Sequence, residues 1–274
     1  MQQQPSANTG TPQRARGKGR LVTKLFDGRT RLAEFYQEGC AKIRLPDTFS
    51  PEMEAILINT SGGLTGGDAI EWSVAASAST KLTVTTQANE KVYKAAADTA
   101  SVTTRISVGE QASVCWLPQE TILFDQSALS RRLEVELQET SEFLGVEAVL
   151  MGRQAMGETL NRGRFHDRWR VRRAGCLIHA EEMRLDGEID RLSVLPATLG
   201  SQSAFATLLY VGPLAEAHLP RVRDCLGNAG GASHWQGKLV VRLIASSGYE
   251  LRKLLVPVIA VLRNGAAVPK VWNI

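Results

Sequence analysis

Two hydrophobic rhythms divide the chain. From Leu21 to about residue 195, apolar side chains recur at every second position or in short runs bounded by glycine, the period of a pleated strand. Residues 53–59 form an apolar run that stops at glycines, 70–74 alternate, and 81–86 place Leu82 and Val84 on one face. Residues 102–108 continue the pattern. In 132–138, Leu133, Val135 and Leu137 point one way and the acids between them the other. Val, Ile and Thr fill these segments, as a pleated, half-buried surface favours. Gly28, Gly39, Gly109, Gly175 and Gly187 mark turns between them.

After residue 195 the rhythm changes. Residues 213–226 predict a helix bent at Pro220 and ended by Gly227, and 237–244 predict one more strand. Ser247 is placed to cap a helix over 248–263, where Leu251, Leu254, Leu255 and Val258 fall on one face, and Asn264-Gly265 would end it. That apolar face is expected to meet a partner. Strands come in long succession and helices come late. The pattern therefore excludes an alternating βα architecture and leaves a sandwich, a barrel or a stacked solenoid. No fixed-period repeat selects among these.

Charge changes the picture only at the N-terminus. The 274 residues carry a net charge of +4, and all of it lies in residues 1–20, with Arg14, Arg16, Lys18, Arg20 and no acid. The remainder balances 28 basic against 28 acidic residues. Residues 1–20, rich in Gln, Gly, Ser, Thr and Pro, read as a disordered basic leader, and 21–274 as a single β-rich domain. A balanced body offers no nucleic-acid surface. A nucleic-acid adaptor would have to act through the leader alone. No apolar run is long enough to span a bilayer, and no secretory signal precedes the first strand. Cys40, Cys115, Cys176 and Cys225 are widely spaced, without a zinc-like pair, and read as reduced thiols of a cytoplasmic protein.

Candidate chemistry is sparse. The sequence N-T-S-G-G-L-T-G-G-D at 59–68 has glycines at phosphate-loop spacing, but Asp68 stands where such a loop needs Lys, so nucleotide binding is rejected. No G-x-S-x-G motif occurs, and His166, His179, His218 and His234 lack a metal or triad context. His166 and His179, among charged strand residues, read as surface groups. A carboxylate pair such as Asp68 with Glu158 would suit a hydrolase on a β-rich fold.

Several segments together carry a resemblance. They are the motif at 59–68, T-T-Q-A-N-E-K-V-Y-K at 85–94, W-L-P-Q-E-T-I-L-F at 116–124, M-G-R-Q-A-M-G-E at 151–158 and the terminal P-K-V-W-N-I at 269–274. In this order they resemble the UreD/UreH urease accessory proteins, with Asn89 and Glu90 standing where the family carries small residues. The resemblance marks Gly62, Gly63, Gly66, Gly67, Lys91, Tyr93, Trp116 and Pro118 as structural motif positions. It implies flattened, β-helix-like stacked sheets with a few helices near the C-terminus. It also implies a non-enzymatic cytoplasmic assembly factor, acting with UreF and the GTPase UreG on apo-urease so that nickel reaches the active site. No resident cofactor and no tight metal site are implied, since nickel would only transit. A transiting cation needs ligands that release it, which carboxylates and water do and clustered thiolates or imidazoles do not. The acids available are Asp68, Glu90, Glu147, Glu158 and Glu181. Glu147 interrupts an apolar strand, so it either faces a hydrated passage or holds an ion pair, with Arg153 or Arg184 as the candidate partners. Glu158 would pair with Arg153.

Overall fold

The computed structural model describes residues 13–153 and 156–273. The chain is 54% strand and 14% helical, as the period-two pattern requires. From β4 (Met53–Asn59) the chain alternates between two sheets. It passes through β5 (Ala69–Ala76), β6 (Lys81–Thr86), β8 (Ala100–Val108), β9 (Ser113–Leu117), β11 (Ala128–Leu137), β12 (Glu142–Met151) and β13 (Arg162–Arg173). β5, β8, β11 and β13 pair in parallel in one sheet, and β4, β6, β9 and β12 in parallel in the other. This is a flattened solenoid. Its rungs are unequal in length, running Lys81 to Ser113 to Glu142 in one sheet and Ala100 to Leu129 to Phe165 in the other, so the sequence carries no fixed period.

β1 (Arg16–Phe26) adds to β5 in parallel, and antiparallel strands finish the sheets. β2 (Arg29–Gly39) closes one edge of the first sheet against β1, and β14 (Cys176–Glu188) closes the other. β3 (Ala41–Arg44) flanks β4. β15 (Ala204–Val211), β17 (Lys238–Ala245) and β16 (Gly230–Trp235) extend the second sheet beyond β12. A one-turn helix, α1 (Ile189–Ser193), follows β14. α2 (Ala215–Leu226) and α3 (Gly248–Leu262) lie on the outer face of the second sheet, and a short 3-10 helix (Lys270–Asn273) ends the described chain.

Two apolar layers result. One lies between the sheets and includes Leu21, Val84, Val135, Phe143, Phe165 and Trp169. The other lies between the second sheet and the helices. Successive residues of a strand face opposite ways, so β12 gives Phe143 and Val149 to the first layer and Leu144, Val146 and Ala148 to the second. α3 begins as its sequence predicts, with Ser247 Oγ accepting from the Glu250 N–H at 3.2 Å. Its apolar face is not free for a partner, because Leu251, Leu255, Val258 and Ile259 are fully buried against the sheet.

The expected leader also changes at its inner end. Residues 16–20 belong to β1, with Arg16, Lys18 and Arg20 exposed and Gly17, Gly19 and Leu21 buried. Glycine is required there by close approach, since a Cβ on Gly19 would sit 2.3 Å from the Trp72 ring. Of the rest of the expected leader, residues 13–15 carry no regular structure and residues 1–12 lie outside the described residues.

Candidate functional site

The motifs scattered along the sequence stack in space. Four of the five follow a strand of the second sheet, so those four fall at the same corner of successive rungs. Leu64 N donates to Lys91 O and Tyr93 N to Leu64 O, both at 2.7 Å. Glu90 N donates to Glu120 O at 3.0 Å, Phe124 N to Val92 O at 3.0 Å, and Gly152 N to Leu123 O at 2.8 Å. Two short parallel strands, β7 (Glu90–Val92) and β10 (Thr121–Leu123), form inside this ridge. Gly63 must be glycine: its φ is +142° and a Cβ would meet Lys91 O at 2.7 Å. Gly62 and Gly67 also take positive φ, and Gly66 packs against the Ala97 carbonyl. Tyr93 stands edge-on to Phe124 at 4.9 Å and donates to Gly62 O at 3.2 Å, while Lys91 is exposed. Pro118 is buried directly after β9, where its missing N–H ends the ladder.

The ridge uses Asp68 as a structural acceptor. Its two oxygens take the N–H groups of Ala15 and Thr65, each at 2.8 Å, so this acid ties the glycine turn to the start of β1. Removing it would leave two N–H groups without that acceptor, and folding as well as function would suffer. Glu90 accepts from Asn59 Nδ2 at 3.0 Å. Burial pushes its pKa up to about 7, with Asn59 opposing and nearby Asp68 reinforcing the shift. Glu158 pairs with Arg153, as its sequence position suggests, and accepts from Asp125 N at 3.3 Å. Asp68 and Glu158 share no hydrogen-bond partner, one tied to Ala15 and Thr65 and the other to Arg153 and Asp125.

Glu120 was missed among the acids although it lies inside a motif. It is fully buried and takes Arg252 of α3 in a two-pronged pair at 2.6 and 2.7 Å, with Asn89 Nδ2 adding a bond at 3.1 Å. Arg252 also donates to the Trp272 carbonyl at 2.8 Å, and Trp272 Nε1 reaches Thr85 Oγ1 at 3.1 Å. The terminal segment is thereby locked to the ridge.

Glu147 lies in the middle of the inter-sheet layer, 5% exposed. It holds an ion pair, and the partner is neither Arg153 nor Arg184. Arg131 Nη1, from β11 of the opposite sheet, stands 2.5 Å from Glu147 Oε2. Trp116 Nε1 donates to Glu147 Oε1 at 3.0 Å. Arg131 also grips Asp167 of β13 with Nε at 3.0 Å and Nη2 at 2.8 Å, and Nη1 donates to Thr121 Oγ1 at 2.9 Å. One guanidinium thus serves two carboxylates. Burial drives the Glu147 pKa up to about 7, Arg131 opposes the rise and Asp167 supports it. Arg131 and Asp167 left a signal in the sequence, since each stands at an inward position, between Leu129 and Leu133 and between Phe165 and Trp169.

On the second sheet Glu147 is directly opposite Thr207 of β15, and Thr207 directly opposite Arg242 of β17. The three make a transverse polar row, from Glu147 buried between the sheets to the largely exposed Arg242 at the edge. At its outer end Arg242 Nη2 meets both oxygens of Glu181, at 2.7 and 2.6 Å. Beside Glu181 lies His179, which is not a surface group but 7% exposed. The alternation of β14 turns both side chains inward, because they share a face with Leu185.

A two-layer parallel solenoid with Arg131, Glu147 and Asp167 buried between its sheets and a stacked motif ridge along one corner defines a β-scaffold protein. The chain matches the family described as UreD urease accessory protein over residues 15–273, and it belongs to that family. It is 65% identical to the urease accessory protein UreD of Agrobacterium fabrum over 262 residues, 96% of this chain and 92% of the relative. It is 66% identical to the protein of that name from Rhizobium leguminosarum bv. viciae, covering 96% of this chain and 97% of the relative. The Mesorhizobium japonicum protein of that name is 50% identical, over 96% and 95%.

Proposed function

We propose that this protein is a non-enzymatic scaffold for urease maturation, acting in the cytoplasm with UreF and the GTPase UreG on apo-urease, and that nickel crosses it along the inter-sheet polar row. The observation that carries the reading is the row itself. Buried charge between two sheets is costly, and an apolar replacement of like volume would serve folding as well or better. A passage gives such a row a purpose. Its acids are carboxylates, which bind a hydrated borderline cation weakly enough to pass it on. Asp68 and Glu158 are better assigned to holding the ridge. Nickel here is cargo, and no resident cofactor is part of the reading.

The test is Glu147→Gln in cells that assemble urease. Arg131 keeps Asp167 as a two-bond partner, so the variant retains a paired guanidinium and folds. The expected result is normal recovery of the complex with UreF and UreG, together with nickel-poor urease. Normal complex with fully loaded urease would overturn the passage.

A further inference from the structure

Arg173 is a cation without an acceptor. It ends β13 directly opposite Leu137 of β11, so it takes the inward position at the end of the inter-sheet layer. Its Nε is buried and has no hydrogen-bond partner. Arg131 and Arg252, which also reach into the protein, each hold several oxygens. A guanidinium drawn out of water without a paired oxygen is costly. Around Arg173 lies an open groove of roughly 570 Å³. Its other walls come from the β11–β12 turn, the β16–β17 turn and the start of α2. Gly237 lies beside the guanidinium, where a Cβ would stand 3.8 Å from Arg173 Nη1. His234 of β16 adds an imidazole. The cap residue of α2 is Leu214, which has no side-chain oxygen, so the first N–H groups of that helix receive no side-chain cap.

We propose that this groove binds a single phosphate group, as the free ion or as a phosphomonoester, with Arg173 as its ionic partner. The unpaired guanidinium is the essential feature. Its fork of N–H groups matches two oxygens of a phosphate. The start of α2 adds backbone N–H groups and the positive end of its dipole from another wall. A tetrahedral oxyanion accepts from several directions at once, whereas a planar carboxylate presents its oxygens in one plane. Two exposed acids, Glu139 and Glu216, also line the groove. They limit the negative charge it accepts, which favours a monophosphate over a polyphosphate or a nucleic-acid strand. The site uses neither Glu147 nor the transverse row, so it stands apart from the proposed nickel passage.

The experiment titrates inorganic phosphate, and separately glycerol phosphate, into the purified full chain by calorimetry at pH 7 and low ionic strength. Saturable binding at one site is expected for at least one of the two, and the tighter of them names the source. Arg173→Gln should weaken that binding about tenfold or more, through loss of a charged hydrogen-bond donor. Arg173→Lys keeps the charge and loses the fork, and should weaken it about threefold. Glu216→Gln should act the other way and tighten binding about twofold, because it removes a nearby negative charge. Arg20→Gln, an exposed arginine on β1, is the control and should bind as the parent does. Thermal unfolding establishes that each variant is folded. If Arg173→Gln does not fold, Arg173→Lys and Glu216→Gln still decide. No saturation by about 10 mM of either ligand would overturn the site. So would a folded Arg173 variant with parental affinity, or an equal loss in Arg20→Gln.

Discussion

β12, β15 and β17 show two different designs on their two faces. Toward α2 and α3 they present Leu144, Val146, Leu208, Val241 and Leu243, which close on Leu251, Leu255 and Ile259 in a densely apolar layer. Toward the other sheet the same strands present Glu147, Thr207 and Arg242 amid Phe143, Val149 and Leu209. The backbone ladders are shared, so the contrast is one of side chains alone. The helix layer is an ordinary packed core. The inter-sheet layer gives up apolar burial at its centre and compensates with a nearly complete set of hydrogen bonds around Arg131. Stability explains the first face and does not explain the second.

The largest effect should come from breaking the charged centre. Arg131→Met leaves Glu147 and Asp167 buried without their cation, and a loss of roughly 3–5 kcal/mol is expected in chemical denaturation. A loss below about 1 kcal/mol would mean that the layer is wetter and less structural than the contrast requires. Leu255→Ala probes the packed face. It should cost about 3 kcal/mol through the cavity it opens, with no change in how stability depends on pH.

A smaller effect is expected at the start of α3. Ser247→Ala removes the cap on Glu250 N and should lower stability by about 1 kcal/mol. Unchanged stability would show that packing on the sheet, and not the cap, sets where this helix begins.

The smallest effect at neutral pH is expected for Glu147→Gln, within about 1 kcal/mol, because Arg131 keeps both bonds to Asp167 and Gln keeps an acceptor for Trp116 Nε1. Its pH profile sharpens the contrast. The folded pKa, about 7, lies above the ordinary 4.5. The stabilisation linked to this group is therefore full below about 4.5 and is lost as pH rises through about 7. The parent protein should lose stability between pH 5 and 8, and the Gln variant should lose less. Glu90, raised in the same sense to about 7, accounts for the slope that remains. Identical slopes in the two proteins would place the titration elsewhere.

Much of the architecture was legible in the chain. Alternation located β5, β6, β8 and β11, and Ser247 with Gly227 marked helix ends that the structure keeps. What escaped has particular causes. Arg16 to Leu21 alternate strictly, but the inward positions Gly17 and Gly19 carry no hydrophobic signal, so a strand reads as a tail. The partner of Glu147 escaped because Arg131 lies on the facing sheet, and no local rule links two strands that meet only across a core. His179 read as a surface group because its neighbours along β14 are charged. A register shift at Val171/Arg172 in the pairing with β13 sits directly beside it.

The sequence by itself determined the mostly-β class, the late helices, the family motifs and the presence of an acid in an apolar strand. These follow from periods and local chemistry that extend over a few residues. The tertiary structure alone decided that unequal rungs stack four separated motifs into one ridge. It also decided that a single guanidinium holds two carboxylates, and that Arg173 comes to rest without an acceptor in an open groove. The physical reason is that solenoid pairing joins residues about thirty positions apart and on facing sheets, and the contacts that set charge and ligand geometry there are non-local.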